Sequence, residues 1–239
     1  MTILDVGCGT GSISKDIAAF VGDTGKVIGI DNTVQFIESG KLSYKDVQNL
    51  SLVHFDLFDF ETEERFDLIT SARTLQWLNN PKEALQKMKT LLKPDGRISI
   101  LDYNHNEIEW NPEPPNSMKL YYKAFLKWRS DAGMNNGIAD DLHKLMSEVG
   151  MSEIEIINSN EHYERNRKDF KSKVGIWAKV AGSTQMVEEG YVDEKLRRKA
   201  IDEYNEWVDN EAISMTMKLK EVRGRMPVVS GQNTLNLRR

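Results

Sequence analysis

The opening of the chain constrains its fold more than any other stretch. Residues 3–12 read ILDVGCGTGS, so a short apolar segment runs directly into a turn with three glycines. Ile13, Ile17 and Val21 then repeat at helical spacing. A buried strand, a glycine turn and a helix form the first unit of a nucleotide-binding α/β fold. Glycine permits positive φ angles and lets a ligand approach the main chain, and the free N–H groups at a helix start favour an anionic group.

The spacing of the glycines discriminates between two classes of cofactor. The dinucleotide fingerprint G-x-G-x-x-G needs a third glycine at position 12 or 14, and both positions are serine. A nicotinamide-dependent oxidoreductase is therefore disfavoured. The glycines here are Gly7, Gly9 and Gly11, with Asp5 in the strand and Cys8 in the loop. This pattern resembles motif I of the class I methyltransferases, which bind S-adenosylmethionine, and implies that the loop passes under the methionine part of the cofactor.

A second predicted strand, Lys26–Asp31, ends in a carboxylate. Asp31 stands 20 positions after Gly11, the spacing expected for an acid that binds a ribose diol. The two oxygens of a carboxylate match two vicinal hydroxyls. Capping of the helix predicted over Thr33–Val47 is the alternative role, and the spacing favours the ribose. Asn32 follows directly and is expected at the ribose edge.

The third predicted strand, Leu50–Asp56, also ends in an acid and is followed by an apolar residue. In class I methyltransferases an acid at this place holds the adenine amino group, and its apolar neighbour packs on the ring. The resemblance therefore implies that Asp56 and Leu57 bind the adenine. Asp59 remains an alternative acid, because the sequence leaves the register open.

A fourth predicted strand, residues 65–72, leads into a segment that resembles the post-strand-4 loop of small-molecule methyltransferases. The resemblance implies that Ser71, Ala72 and Arg73 lie nearest the methyl group of the cofactor. The Asn-Pro-Pro-Tyr type of motif that marks methylation of amino groups on adenine or glutamine is absent from this position.

The next segment completes the resemblance in order. Asn80-Pro81-Lys82-Glu83 predicts a helix start, and the run LKPDGRISI at 92–100 resembles the helix end, turn and fifth strand of the same family. The similarity is to the group that includes the ubiquinone/menaquinone and trans-aconitate methyltransferases. We therefore predict an α/β fold with a Rossmann-like, seven-stranded, mostly parallel sheet in the order 3-2-1-4-5-7-6. In this family one or two helices usually precede motif I, whereas here the first strand follows two residues.

Four segments are predicted from the rest of the pattern. Residues 1–158 form the cofactor-binding core and include a substrate-lid segment at 103–137. The aromatic residues of that segment either line an acceptor pocket or form the core of an added helical layer. Residues 159–213 form a highly charged helical cap, 214–226 an antiparallel last strand, and 227–239 a disordered tail.

Three residues are candidates for catalysis. A neutral oxygen or nitrogen acceptor must lose a proton during methylation, so a general base can assist. His105 follows the fifth strand and has an ordinary pKa near 6.5, which makes it the first candidate base; a surface histidine is the alternative. Tyr103 and Arg73 are expected to orient an acceptor. A catechol-type metal site would need acids after strand 4 and an Asp-Asn pair after strand 5. Strand 4 ends in Thr70-Ser71-Ala72 and strand 5 in Asp102-Tyr103-Asn104, so no metal is predicted.

Composition narrows the choice of partners. The net charge of −5 argues against a nucleic-acid substrate, and the single cysteine suits a reducing cytoplasm. The sequence contains no apolar run that is long enough to predict a membrane segment. We therefore expect a cytoplasmic monomer or homodimer that methylates an O, N or C atom of a small-molecule acceptor. The alternatives are a protein or RNA methyltransferase and a non-catalytic protein that binds S-adenosylmethionine.

Overall fold

A computed structural model describes residues 1–227 and shows one large sheet with helices on its faces. The first five strands are parallel to one another and run β1 (Thr2–Val6), β2 (Lys26–Asp31), β3 (Leu50–His54), β4 (Phe66–Ala72) and β5 (Leu92–Asn111). The remaining strands are antiparallel to their neighbours and run β6 (Ser152–Asn158), β7 (Glu161–Glu164) and β8 (Ser214–Arg225). The order across the sheet is β3-β2-β1-β4-β5-β8-β6, with β7 paired to β8.

The predicted fold class is confirmed, with one strand more than predicted. The α/β architecture, the mostly parallel sheet and the strand order agree with the prediction when β8 is counted as the seventh strand. The additional strand is Glu161–Glu164, in a segment that we predicted to be helical. Four residues are too few to show a periodicity in the sequence. The strand forms because the first half of β8 offers unpaired backbone groups to it.

The fifth strand differs from the prediction in length. We predicted it over 97–102 with irregular chain beyond, whereas β5 spans 20 residues, Leu92–Asn111. An excursion at 93–96 interrupts its pairing with β4, and a second irregularity lies between Asn104 and Glu109. The predicted lid at 103–137 therefore begins as sheet, because β8 supplies hydrogen-bond partners as far as residue 111.

Two groups of helices surround the sheet. The helices that pack on the parallel strands and their antiparallel edge are α1 (Ser12–Val21), α2 (Val34–Ser43), α3 (Pro81–Thr90) and α5 (Ile138–Glu148). Asn80 caps α3 as predicted, since its side chain accepts a hydrogen bond from the Glu83 N–H at 3.3 Å. The other helices form an added layer and are α4 (Asn116–Asp131), α6 (Phe170–Val174), α7 (Ile176–Ala181), α8 (Gln185–Glu188) and α9 (Glu194–Asn210).

The added layer has a hydrophobic core of its own. Trp207 and Tyr204 of α9 are fully buried there against residues of α4, α7 and β8. Tyr121 and Phe125 of α4, from the aromatic-rich segment, are buried in the same cluster. Most of the aromatic residues that we weighed as pocket or core thus belong to this second core. The predicted disordered tail at 227–239 lies, beyond Pro227, outside the described residues.

The close packing of α2 against the glycine loop generates a stability prediction. A Cβ on Gly40 would lie 2.4 Å from the carbonyl oxygen of Thr10 and 2.6 Å from Leu52. Glycine to alanine normally stabilises a helix interior, by about 1 kcal/mol. Here we expect Gly40→Ala to lower the free energy of unfolding by about 1–3 kcal/mol, because the helix must move off the loop. Urea unfolding measures this, with Ser39→Ala on the exposed face of the same helix as the control, and an unchanged or raised stability of Gly40→Ala would contradict the packing.

Candidate active site

The glycine loop lies at the carboxyl end of β1 and is fastened to the neighbouring strand. The N–H groups of Gly7 and Cys8 both donate to the carbonyl of Ile30, at 2.8 and 3.0 Å. Gly7, Gly9 and Gly11 all have positive φ angles, of 69°, 56° and 80°. A Cβ on Gly7 would lie 2.1 Å from the hydroxyl oxygen of Thr74, whereas one on Gly9 would meet nothing within 4 Å. The loop is therefore closed against the protein at Gly7 and open to a ligand at Gly9.

Asp31 holds the end of β2 against this loop. One carboxylate oxygen accepts from the Gly9 N–H at 2.8 Å, and the other accepts from the Thr33 N–H at 2.9 Å. The helix that follows begins at Val34 with Thr33 as its capping residue, and the Thr33 side chain itself makes no capping hydrogen bond. Each carboxylate oxygen keeps a lone pair, because a carboxylate accepts about four hydrogen bonds in total.

A cleft of about 440 Å³ lies above this edge of the sheet. Eight of the residues predicted for the site line it, and they are Gly7, Gly9, Asp31, Asn32, Asp56, Leu57, Ala72 and Arg73. Asp56 lies two residues beyond the end of β3 and accepts from the Phe58 N–H at 2.9 Å, whereas Asp59 does not line the cleft. Phe36, Phe55 and Phe58 also line the cleft and are partly exposed at its rim, and the sequence patterns did not single them out.

Four predicted cofactor residues do not line the cleft, namely Asp5, Cys8, Gly11 and Ser71. Asp5 is buried and accepts from the hydroxyls of Ser14 at 2.5 Å and Thr70 at 3.0 Å, so it joins β1 to α1 and β4. Burial raises the pKa of Asp5. Ser71 donates to the Val6 carbonyl at 2.8 Å. Burial raises the pKa of the Cys8 thiol to about 12, so a thiolate does not form at neutral pH.

A second cavity of about 360 Å³ lies beside the cleft, between the sheet and the added helical layer. Its lining is mainly aromatic and aliphatic and includes Trp77, Tyr103, His105, Phe125, Tyr163, Ile176, Trp177, Val180 and Met217. Arg73 and Trp77 line both this cavity and the cleft. The two spaces therefore lie next to each other, with Arg73 and Trp77 at their boundary just beyond the carboxyl end of β4.

Arg73 occupies this boundary in an uncommon conformation. Its φ angle is 61°, a region that non-glycine residues rarely adopt and that is often found at functional sites. Its guanidinium forms an ion pair with Glu161 and lies 5.3 Å from the centre of the Tyr103 ring. Glu161 was not singled out in the sequence, because it lies on the short strand β7 that no local pattern predicts.

His105 lies inside β5 and is buried, so the surface alternative is wrong. Its Nε2 lies 2.5 Å from the side-chain oxygen of Gln76, and the Tyr122 hydroxyl donates to its carbonyl at 2.6 Å. Burial and the nearby Arg129 lower the pKa of His105 to about 3. The expectation of a near-neutral pKa is therefore wrong, and the imidazole is uncharged at physiological pH.

A buried polar network supports the second cavity from behind. Asp102 is fully buried and accepts from the backbone N–H groups of Gln76 and Tyr103, each at 3.0 Å. Burial raises the pKa of Asp102 to about 7. The Arg129 guanidinium donates to the Gln76 carbonyl at 2.7 Å and lies 4.8 Å from the centre of the Trp77 ring. The network thus fixes the segment that carries Gln76 and Trp77.

The described part of the chain has two further properties that bear on the site. Within residues 1–227, no group of three or more His, Cys, Asp or Glu side chains is arranged to hold a metal ion. None of the helices in the same range is long and apolar enough to span a membrane.

Comparison with known proteins identifies the family. A family model described as a methyltransferase domain matches residues 1–166, which is more than half of the chain. The chain belongs to this methyltransferase family. Demethylmenaquinone methyltransferase of Staphylococcus saprophyticus is 28% identical over 168 residues, which cover 64% of this chain and 71% of that enzyme. The resemblance to small-molecule methyltransferases is therefore confirmed.

Solved structures show the same fold. Phosphoethanolamine N-methyltransferase 2 of Haemonchus contortus, in complex with phosphomonomethylethanolamine and S-adenosylhomocysteine, superposes with a TM-score of 0.58 at 14% identity. The alignment covers 95% of this chain and 49% of that one, so this chain spans about half the length of that enzyme. The YcgJ protein of Bacillus subtilis gives a TM-score of 0.57 at 15% identity, with coverage of 94% and 91%.

The protein is an S-adenosylmethionine-dependent methyltransferase, and its residues suit that cofactor. The open space at Gly9 admits a ligand against the main chain, and Asp31 retains acceptor capacity for hydroxyl groups. The cleft of about 440 Å³ lies within the range of small-molecule sites. The nicotinamide alternative is therefore wrong.

The buried state of His105 predicts a dependence of stability on pH. Its folded pKa of about 3 lies below the ordinary 6.5, so between these values the unfolded chain binds a proton that the folded chain does not. Stability is thus lost as the pH falls below 6.5. Relative to His105→Gln, we expect the wild type to lose about 1.4 kcal/mol of unfolding free energy per pH unit from 6.5 towards 4.

Urea unfolding at several pH values measures this difference. Asp102 contributes the opposite slope, since its pKa is raised to about 7, but it is present in both proteins and cancels in the comparison. His143 is exposed on α5, so His143→Gln should follow the wild-type curve as the matched control. If the unfolding free energies of the wild type and of His105→Gln changed with pH in parallel, the imidazole would not be held neutral in the folded protein.

Proposed function

We propose that this enzyme transfers the methyl group of S-adenosylmethionine to a small molecule held in the second cavity. The observation that carries the proposal is that the cleft and the cavity share Arg73 and Trp77 at the end of β4. A methyl donor in the cleft and an acceptor in the cavity would meet at this boundary. The match to a demethylmenaquinone methyltransferase supports a small-molecule acceptor.

The cleft residues have separate roles in this proposal. The Gly7 to Gly9 loop lies under the methionine part of the cofactor, and Ala72 lies near its sulfur. Asp31 accepts hydrogen bonds from the ribose hydroxyls, beside Asn32. Asp56 and Leu57 hold the adenine, since both line the cleft beyond β3. Asp5, Cys8, Gly11 and Ser71 do not line the cleft and act as support for the loop rather than as direct contacts.

The second cavity suits the acceptor of an in-line displacement. When bound, the cofactor supplies a methyl group on a sulfonium, and S-adenosylhomocysteine is the product. The chain's own contribution is to hold the acceptor in line, exclude water with aromatic walls, and receive hydrogen bonds. Tyr103 and Arg73 orient the acceptor in this proposal. His105 serves as a neutral hydrogen-bonding wall residue, because its low pKa makes it a weak base.

The size of the cavity favours a small acceptor over a macromolecule. A volume of about 360 Å³ between the sheet and the added layer fits one or two fused rings, and the net charge of −5 does not favour nucleic acid. We further propose that the predicted cap at 159–213 forms part of this enclosure, since Ile176, Trp177 and Val180 line the cavity. A cytoplasmic monomer or homodimer remains the prediction from the sequence.

Binding of S-adenosylhomocysteine tests the cofactor assignment. We expect Asp31→Asn to raise the dissociation constant about 10- to 100-fold, because the neutral amide weakens the charge-assisted hydrogen bonds to two hydroxyls. Isothermal titration calorimetry measures the change. Asp59→Asn is the matched control and should bind like the wild type, because Asp59 does not line the cleft.

Two further measurements make the result decisive. The melting temperature of Asp31→Asn separates loss of the ribose contact from collapse of the Gly9 loop, which Asp31 also holds. Formation of S-adenosylhomocysteine from S-adenosylmethionine and a pool of metabolites tests turnover. If a folded Asp31→Asn variant bound S-adenosylhomocysteine as tightly as the wild type, the ribose assignment would be rejected. If the wild type bound the cofactor but formed no S-adenosylhomocysteine with any metabolite pool, a non-catalytic protein would be favoured.

A further inference from the structure

The wall of the second cavity contains one carboxylate, on strand β7. Residues alternate along a strand, so Glu161 and Tyr163 face the cavity while His162 and Glu164 are exposed on the other side. Glu161 is partly buried, with 23% of its side chain exposed. Tyr103 faces it from β5. Pairing of β7 with β8 thus brings Glu161 and Tyr163 beside Tyr103, which is distant from them in the sequence.

The hydrogen bonds of this cluster have a defined direction. Oε2 of Glu161 accepts from the Tyr163 hydroxyl at 2.8 Å and from the Tyr103 hydroxyl at 3.3 Å. Oε1 is paired with the Arg73 guanidinium. An ionised carboxylate has no proton to donate, so both phenolic protons must point at Glu161. The lone pairs of the two phenolic oxygens are then left to accept hydrogen bonds.

Both tyrosines keep their protons at physiological pH. Burial raises the pKa of Tyr103 and of Tyr163, and the neighbouring Glu161 carboxylate raises both further. The hydroxyls are therefore uncharged acceptors rather than phenolates. Arg73 compensates the charge of Glu161, so the carboxylate does not present a free negative charge to a cationic ligand.

We propose that Glu161 is a positioning residue that turns the Tyr103 and Tyr163 oxygens into acceptors for a hydroxyl or neutral amino group on a flat, apolar substrate. The aromatic walls provided by Trp77, Phe125 and Trp177 suit such a ring system. This inference rests on the proposed function, because it specifies which acceptor the second cavity selects.

The pair 2-naphthol and 2-methoxynaphthalene tests this selection. The two probes share a ring system that fits about 360 Å³, and only the naphthol donates a hydrogen bond. With the full chain saturated with S-adenosylhomocysteine, we expect ligand-observed NMR titration to show about fivefold tighter binding of the naphthol. Glu161→Gln should reduce this preference to about twofold or less, because its amide NH₂ donates to a phenolic oxygen and reverses the hydroxyl direction.

A matched control lies on the same strand. Glu164→Gln makes the same chemical change on the exposed side of β7, so it should keep the wild-type preference. Tyr163→Phe retains the ring and removes one of the two acceptor hydroxyls, so it should reduce the preference towards that of Glu161→Gln. It provides the test if Glu161→Gln does not fold.

Several results would overturn the proposal. These are equal binding of both probes to the wild type, no binding of either, or an unchanged preference in folded Glu161→Gln and Tyr163→Phe. The affinity for S-adenosylhomocysteine, measured without either probe, distinguishes failure of this proposal from failure of the proposed function. Glu161 does not line the cleft, so its variant should bind that product within about threefold of the wild type. A lost preference with normal product affinity is the expected result.

Discussion

The antiparallel pairing of β5 with β8 is the interaction on which the enclosed part of this enzyme depends. β5 extends well beyond the length that its parallel neighbour β4 needs, and β8 pairs with it from Arg97 to Asn111. The far edge of β8 then receives both β6 and β7. Because each backbone group in a sheet needs a partner, this long strand pair creates the platform on which the added helical layer packs. Without it, the wall that carries Glu161 would not exist.

The site divides into two parts with different physical origins. The cleft at the glycine loop is built from loops that follow β1, β2, β3 and β4, whose carboxyl ends lie at one edge because the strands are parallel. The second cavity is built between two hydrophobic cores, one under the parallel sheet and one under α4, α7 and α9. Arg73 and Trp77 belong to both spaces. In the proposed function, this shared boundary is where the methyl donor and its acceptor meet.

Charge in the enclosed region is strongly controlled by burial. His105 is held neutral, and Asp102 has a pKa raised to about 7, although both are near Arg129. Burial makes the charged forms of the His105 imidazole and the Asp102 carboxyl unfavourable. Both groups therefore act as hydrogen-bond partners that fix the positions of their neighbours. Glu161 is different because the Arg73 guanidinium compensates its charge and two hydroxyls donate to it. The result is a wall with directed acceptors, beside the Lys173 ammonium that also lines the cavity.

Local sequence determined the glycine loop and the strand end beside it. The glycine pattern at Gly7, Gly9 and Gly11 and the placement of Asp31 are signals of short range, since backbone conformation and strand ends depend on neighbouring residues. The second cavity was decided by tertiary structure. The strand at Glu161–Glu164 has too few residues for a periodic signal, and the low pKa of His105 comes from packing against distant elements. Such properties depend on long-range pairing and desolvation, which a linear pattern does not encode.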